Sequence, residues 1–145
     1  VASLEHSEGR TENEFATRVA IKHGSKIRHV ASWKRFLVYD GQRWQNDAGS
    51  MVAAICRSEV REAFRELDPL ADEMSERDFN DAVKFVRSMG TARDIDATMR
   101  LLPSDHGITI SPDQLDRFKA LLNTQTGVVD LRDGTLHDHD PKLLL

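Results

Sequence analysis

The sequence lacks most of the features that commonly signal a chemistry. Cys56 is its only cysteine, which excludes an internal disulfide and any zinc cage built on cysteine. No apolar run approaches the length needed to span a bilayer. Val1 to Arg10 lacks the charged-then-apolar pattern of a secretory leader, so a cytoplasmic location is expected. None of the eight glycines stands before a Lys-Ser or Lys-Thr pair at the P-loop spacing, so this stretch is not expected to hydrolyse ATP. The H-e-x-x-H, G-x-S-x-G and cysteine-histidine nucleophile patterns are missing as well. There is no repeat and no low-complexity tract.

What remains is an ordinary soluble composition, 39% hydrophobic and 30% charged over 145 residues. That is enough for one domain with a real core. The chain opens at Val1 rather than Met, as a piece of a longer chain would. The net charge of −4 conceals an asymmetry. Between Arg18 and Trp44, seven basic residues face one acid, Asp40, for a net +6; the other thirteen basic and twenty-three acidic residues give −10. The split suggests one cationic face on an acidic body.

Local patterns predict an α+β chain. Val1 to Arg10 has no periodicity and reads as a flexible lead-in. Thr11 and Glu14 form a capping box, Phe15 and Val19 share the face of the helix that follows, and Gly24 stops it. Lys26 to Ala31 and Trp33 to Tyr39 read as strands, and Asp40-Gly41 turns the second back through Gln42 to Asn46. Tyr39 and Trp44 then meet across the pair. Val52, Ile55, Cys56, Val60, Ala63, Phe64 and Leu67 mark a long amphipathic helix ending before Pro69. Ser75 to Asp78 and Thr91 to Asp94 cap two more helices, separated by Gly90 and closed by Pro103. Gly107 to Ile110 reads as extended, and Ser111-Pro112-Asp113-Gln114 as a capped helical turn. From Leu121 the apolar alternation, Gly127 and Asp133-Gly134 describe short strands with tight reversals. The expected architecture is a small antiparallel sheet from N- and C-terminal hairpins packed on a central helical group. Phe36, Tyr39 and Trp44 are expected to join sheet to helices, with Phe36, Val60, Phe64 and Phe79 carrying much of the core.

Few residues suggest catalysis. Asp94-Ile95-Asp96 has the composition of a two-metal aspartate pair, but Asp94 falls in the first turn of a capped helix, where an acid is favoured anyway. His137-Asp138-His139-Asp140 would put two histidines on one strand face, yet it reads more simply as a polar strand end. No metal site is expected. Cys56 lies on an apolar stripe and reads as core, and His6, His23, His29 and His106 as surface or capping residues. The best candidates are Lys26, Arg28, Lys34, Arg35 and Arg43, interleaved with Trp33, Phe36, Tyr39 and Trp44. Cations for phosphates and flat rings for bases are what single-strand binding requires. The competing reading is an edge strand blunted by charge against aggregation.

Taken in order, Thr11, Ala16, His23-Gly24, Trp33, Tyr39-Asp40-Gly41, Trp44, Ile108 to Asp116, Leu122-Asn123, Gly127, Asp130-Leu131, Gly134, Leu136 and the closing His139-Asp140-Pro141 run resemble the N-terminal linking domain of phage and plasmid primase-helicases and of the related poxvirus protein. The resemblance spans roughly 11–145. It implies a non-catalytic module, with a primase module before it and a superfamily 3 helicase motor after it. ATP and Mg2+ would belong to that motor, with no cofactor in this segment, and the parent would be a hexamer. Two roles follow: positioning single-stranded or forked DNA beside the motor through the basic hairpin, or serving as a collar for ring assembly. A metal-dependent centre at Asp94 and Asp96 is the least favoured alternative.

Overall fold

The helices fall where local patterns predict, while the strand expected from Trp33 to Tyr39 begins only at Arg35, because Ala31–Trp33 is a 3-10 turn followed by a left-handed Lys34. The computed structural model describes residues 12–48 and 50–145; the lead-in and Thr11 lie outside the described residues. Helix α1 spans Glu12–His23, with Phe15, Ala16 and Val19 buried. Strands β1 (Ile27–Val30), β2 (Arg35–Tyr39) and β3 (Trp44–Asn46) follow. Three helices make the centre: α2 (Met51–Leu67), α3 (Glu76–Met89) and α4 (Ala92–Leu101). A two-residue strand β4 (Thr109–Ile110) precedes β5 (Leu121–Thr124), β6 (Gly127–Asp130) and β7 (Thr135–His137). Among the described residues no helix is long and apolar enough to cross a membrane.

The helix boundaries have identifiable causes. Ser75 Oγ accepts from Asp78 N and Thr91 Oγ1 from Asp94 N, so both caps satisfy donors that the first turn leaves free. Asp94 is therefore engaged: its carboxylate accepts from Thr91 Oγ1 at 2.8 Å. Helix α2 starts differently. Ser50 precedes it in a left-handed conformation without a side-chain cap, and Asp47 accepts from Met51 N at 2.6 Å and Val52 N at 3.0 Å instead.

The α+β class holds, but the strands divide into two sheets. The first has the order β3-β2-β1-β4, with β1-β2 and β2-β3 antiparallel and β4 parallel to β1. The second is the antiparallel β5-β6-β7. The helices supply the crossover that a parallel neighbour needs, and so the N-terminal hairpin pairs with β4 and not with the C-terminal strands. Gly127 permits the close β6-β7 approach: a Cβ there would stand 2.3 Å from the His137 carbonyl oxygen.

Strand alternation gives the first sheet two apolar faces. Ile27 and Val38 join the main core with Val19, Val52, Cys56, Val60, Leu67, Val86 and Leu102, and Phe36, Phe64 and Phe79 pack against it. Val30 and Leu37 point the other way, forming a smaller core with Ile110 and Leu144, lined by Trp44 and Leu115. Phe36 thus joins sheet to helices as expected. Tyr39 and Trp44, odd and even partners across the β2-β3 register, lie on the opposite face instead, with ring centroids 5.4 Å apart.

The C-terminal tail closes over that opposite face. Trp44 N donates to Leu145 O at 3.0 Å, and the Trp44 indole N–H to Pro141 O at 2.9 Å. Asp116 N donates to Leu144 O at 3.0 Å. Asn123 Nδ2 donates to Gln42 O at 2.8 Å, tying the second sheet to the β2-β3 turn. The two hairpins are thereby joined through the tail.

Candidate nucleic-acid interface

The seven cations of the basic stretch do not share one face. Arg18 and Lys22 lie on α1 and meet α2. Arg18 Nε is 2.6 Å from Glu59 Oε1, and its two terminal nitrogens grip both oxygens of Glu66 at 2.8 and 2.9 Å. Lys22 Nζ is 2.9 Å from each glutamate. His23 Nε2 lies 2.9 Å from Glu59 Oε2, so it belongs to this cluster and not to the free surface. The Glu59 side chain is only 3% exposed. Burial pushes its carboxyl up, but hydrogen bonds from His23, Lys22 and Arg18 outweigh this and hold it below the usual carboxylate range. Hydrogen bonding from Arg18 draws Glu66 down to about 2.

Arg28 is also committed. Its guanidinium donates to the carbonyls of Gly24 and Ile27 and lies 5.0 Å from the Trp44 ring centroid, a cation–π contact that occupies a face of that indole. Burial lowers its pKa. Of the candidate residues, Arg28 is thus built into the scaffold.

Lys26, Lys34, Arg35 and Arg43 are exposed. The first three make no ion pair among the described residues. Arg43, 69% exposed, approaches Asp40 only to 3.7 Å, while Asp40 Oδ1 accepts from Gln42 N and Arg43 N to hold the turn. The antiparallel register separates them: Lys26 precedes the end of β1 that pairs with Val38, whereas Lys34 and Arg35 stand where Val30 pairs with Arg35. Trp33, Lys34 and Arg35 therefore form one cluster on the β1-β2 connection, with Lys26 at the far end of the hairpin.

Two shallow cavities adjoin this cluster. One, of about 470 Å³, is lined by Lys34, Arg35, Phe36, Asn46, Asp47 and Met99 among others. The second, of about 360 Å³, is lined by Trp33, Leu37, Arg43, Trp44, Asn46 and Leu115, and closed by the tail at Leu144. Asn46 borders both. Asp47, the acid in the first cavity, has its carboxylate turned to the start of α2. The sequence alone did not reveal Asn46 or the leucine wall, because that wall is built by a tail about a hundred residues away in the chain.

The remaining candidates are structural. Cys56 is buried, which pushes its thiol up to about 11. His137 Nε2 lies 2.9 Å from Thr135 Oγ1 and His139 Nε2 lies 2.7 Å from Thr124 O, so each ring is engaged within the second sheet. His29 packs on Phe36 with centroids 4.9 Å apart.

No curated protein matches the chain. The sequence profile of a family described as "D5 N terminal like" matches residues 16–145, nearly the whole of the described chain. The chain therefore belongs to the D5 N-terminal-like family, the N-terminal domain of phage and poxvirus D5-type primase-helicases, proteins involved in replication.

Proposed function

We propose that this domain positions single-stranded DNA beside the motor of its primase-helicase, using the exposed cations of the N-terminal hairpin. One observation carries the reading: the fold consumes Arg18, Lys22 and Arg28 internally but leaves Lys34 and Arg35 without an ion pair among the described residues, beside a groove. Unpaired cations on a surface suit phosphate, whose neutralisation releases counterions. Contacts from three or four cations would give a log–log salt slope of about −2 to −3 on single strands. Fluorescence anisotropy of a labelled single strand at low and at physiological salt tests this. Salt-sensitive binding is expected, and no binding at either salt would overturn it.

A second reading, a collar for ring assembly, is favoured by a different observation. Leu122, Val129 and Leu136 are in register across β5, β6 and β7, and Leu122 and Leu136 are 52% and 58% exposed. A contiguous exposed apolar row of this kind suits a protein contact. Leu122→Asp with Leu136→Asp in the parent protein is expected to weaken its ring, read by native mass spectrometry. Rings of unchanged stability would remove this role.

A further inference from the structure

We propose that the groove between Trp33 and the C-terminal tail takes one unpaired base of single-stranded DNA, stacked on the Trp33 ring, with the flanking phosphates on Lys34 and Arg35. The inference rests on the DNA-positioning reading and adds to it a preference for unpaired over paired DNA.

The two tryptophans have different situations. Trp44 is engaged on several sides: Arg28 over its ring, Tyr39 against it, and its N–H on Pro141. It serves as a wall. Trp33 is 46% exposed, and among the described residues its indole has no ring, cation or hydrogen-bond partner. It stands at the end of a 3-10 turn, Ala31–Trp33, directly before the two unpaired cations. An aromatic face next to cations is the pairing that holds a base and its phosphates together.

The groove is also built at a conformational cost. Among the described residues, four other than glycine have positive φ: Lys34, Ser50, Asp116 and Leu144. Asp116 and Leu144 line the groove and are bonded to each other, and Lys34, next in the chain to Trp33, borders the neighbouring cavity. Two strained residues bonded to each other on one concavity mark a shape maintained against local preference. The volume of about 360 Å³ lies within the usual range of small-ligand sites. Asn46 shares the face of Leu37 and Trp44 by register. Its side-chain amide has no protein partner among the described residues, so it is available to a base edge. Arg43 is the cation and Asp116 the acid on the lining; Lys34 and Arg35 border the adjoining cavity across Asn46, away from Asp116, which places the flanking phosphates there.

The experiment compares three labelled ligands of equal length: an oligothymidylate, the same strand with abasic sites, and a duplex. Anisotropy is measured with the unmodified protein, Trp33→Ala and Trp33→Phe. The unmodified protein is expected to favour the oligothymidylate over both other ligands by about tenfold, the scale of one base–aromatic stack. Trp33→Ala should erase that preference while keeping salt-sensitive binding to all three, and Trp33→Phe should retain it. Equal binding of the thymidylate and abasic strands by the unmodified protein would overturn the subsite whatever the variants do, and leave DNA positioning intact. So would an undiminished preference in Trp33→Ala. Failure of every ligand to bind at low salt would overturn both readings.

Discussion

The α1-α2 interface and the β1-β2 connection draw their cations from the same short stretch of sequence, yet use them in opposite ways. At the first, Arg18 and Lys22 are fixed by Glu59 and Glu66 within 3 Å. At the second, Lys34 and Arg35 form no ion pair among the described residues, and Asp47 beside them is turned to the start of α2. Net charge along the chain therefore measured neither site. What distinguishes them is whether an acid 37 to 48 residues away is brought alongside. Glu59 lies on the buried stripe of α2, and a carboxylate there demands cations. No comparable demand acts on the hairpin turn, and Lys34 and Arg35 stay exposed there.

The sharpest way to break this comparison is to remove the buried acid. Glu59→Gln leaves Arg18 facing the helix interface without its closest partner, and breaking a buried pair this way costs about 3 kcal/mol. Urea denaturation should show a loss of that order, with unchanged DNA binding per folded molecule. A loss below about 0.5 kcal/mol, the range of ordinary surface changes, would mean that the cluster does not hold α1 to α2. Lys34→Ala with Arg35→Ala is the complementary test. Stability should stay within about 0.5 kcal/mol. Affinity for a single strand should fall about tenfold at low salt, and the salt slope should become shallower by about 1.4.

Acid should separate the two regions next. Glu66 titrates near 2 in the fold against an ordinary value of 4.5. A carboxylate depressed in the folded state stabilises the fold above its unfolded value, and that contribution disappears as pH falls through the folded one. Glu59 is shifted in the same direction. Stability should therefore decline between about pH 4.5 and pH 2, and Glu66→Gln should flatten the decline in denaturation midpoints. An equally steep profile in the variant would show that Glu66 is not coupled to folding.

Local chemistry made much of this fold legible. Ser75, Thr91 and Asp40-Gly41 act over three or four residues, and each does in space what its pattern says. Pairing across long separations was not legible in that way. Nothing near Thr109 indicates that it will lie parallel to β1 at one edge of the first sheet. The hairpin cations were legible as candidates, but their sorting was not. Arg28 and Lys34 look alike in sequence, and the Trp44 ring and the Gly24 and Ile27 carbonyls together hold Arg28 in the scaffold. Asp47 escaped notice for a related reason: it caps α2 from four residues before the first helical position, because Ser50 has taken a left-handed turn.

Lys34 offers the finest division between charge and conformation. Its φ of 53° and ψ of 41° would be natural for glycine or asparagine, and for a lysine cost about 1 kcal/mol. Lys34→Ala keeps that strain and loses the charge. Lys34→Gly loses both, and returns about 0.5 kcal/mol in the unfolded chain's extra freedom, for a net gain of about 0.5 kcal/mol. If residue 34 is kept for its ammonium, the two variants should weaken single-strand binding equally while only Lys34→Gly melts higher. If Lys34→Gly binds as well as the original chain, the residue serves the turn alone, and the cationic cluster is reduced to Arg35.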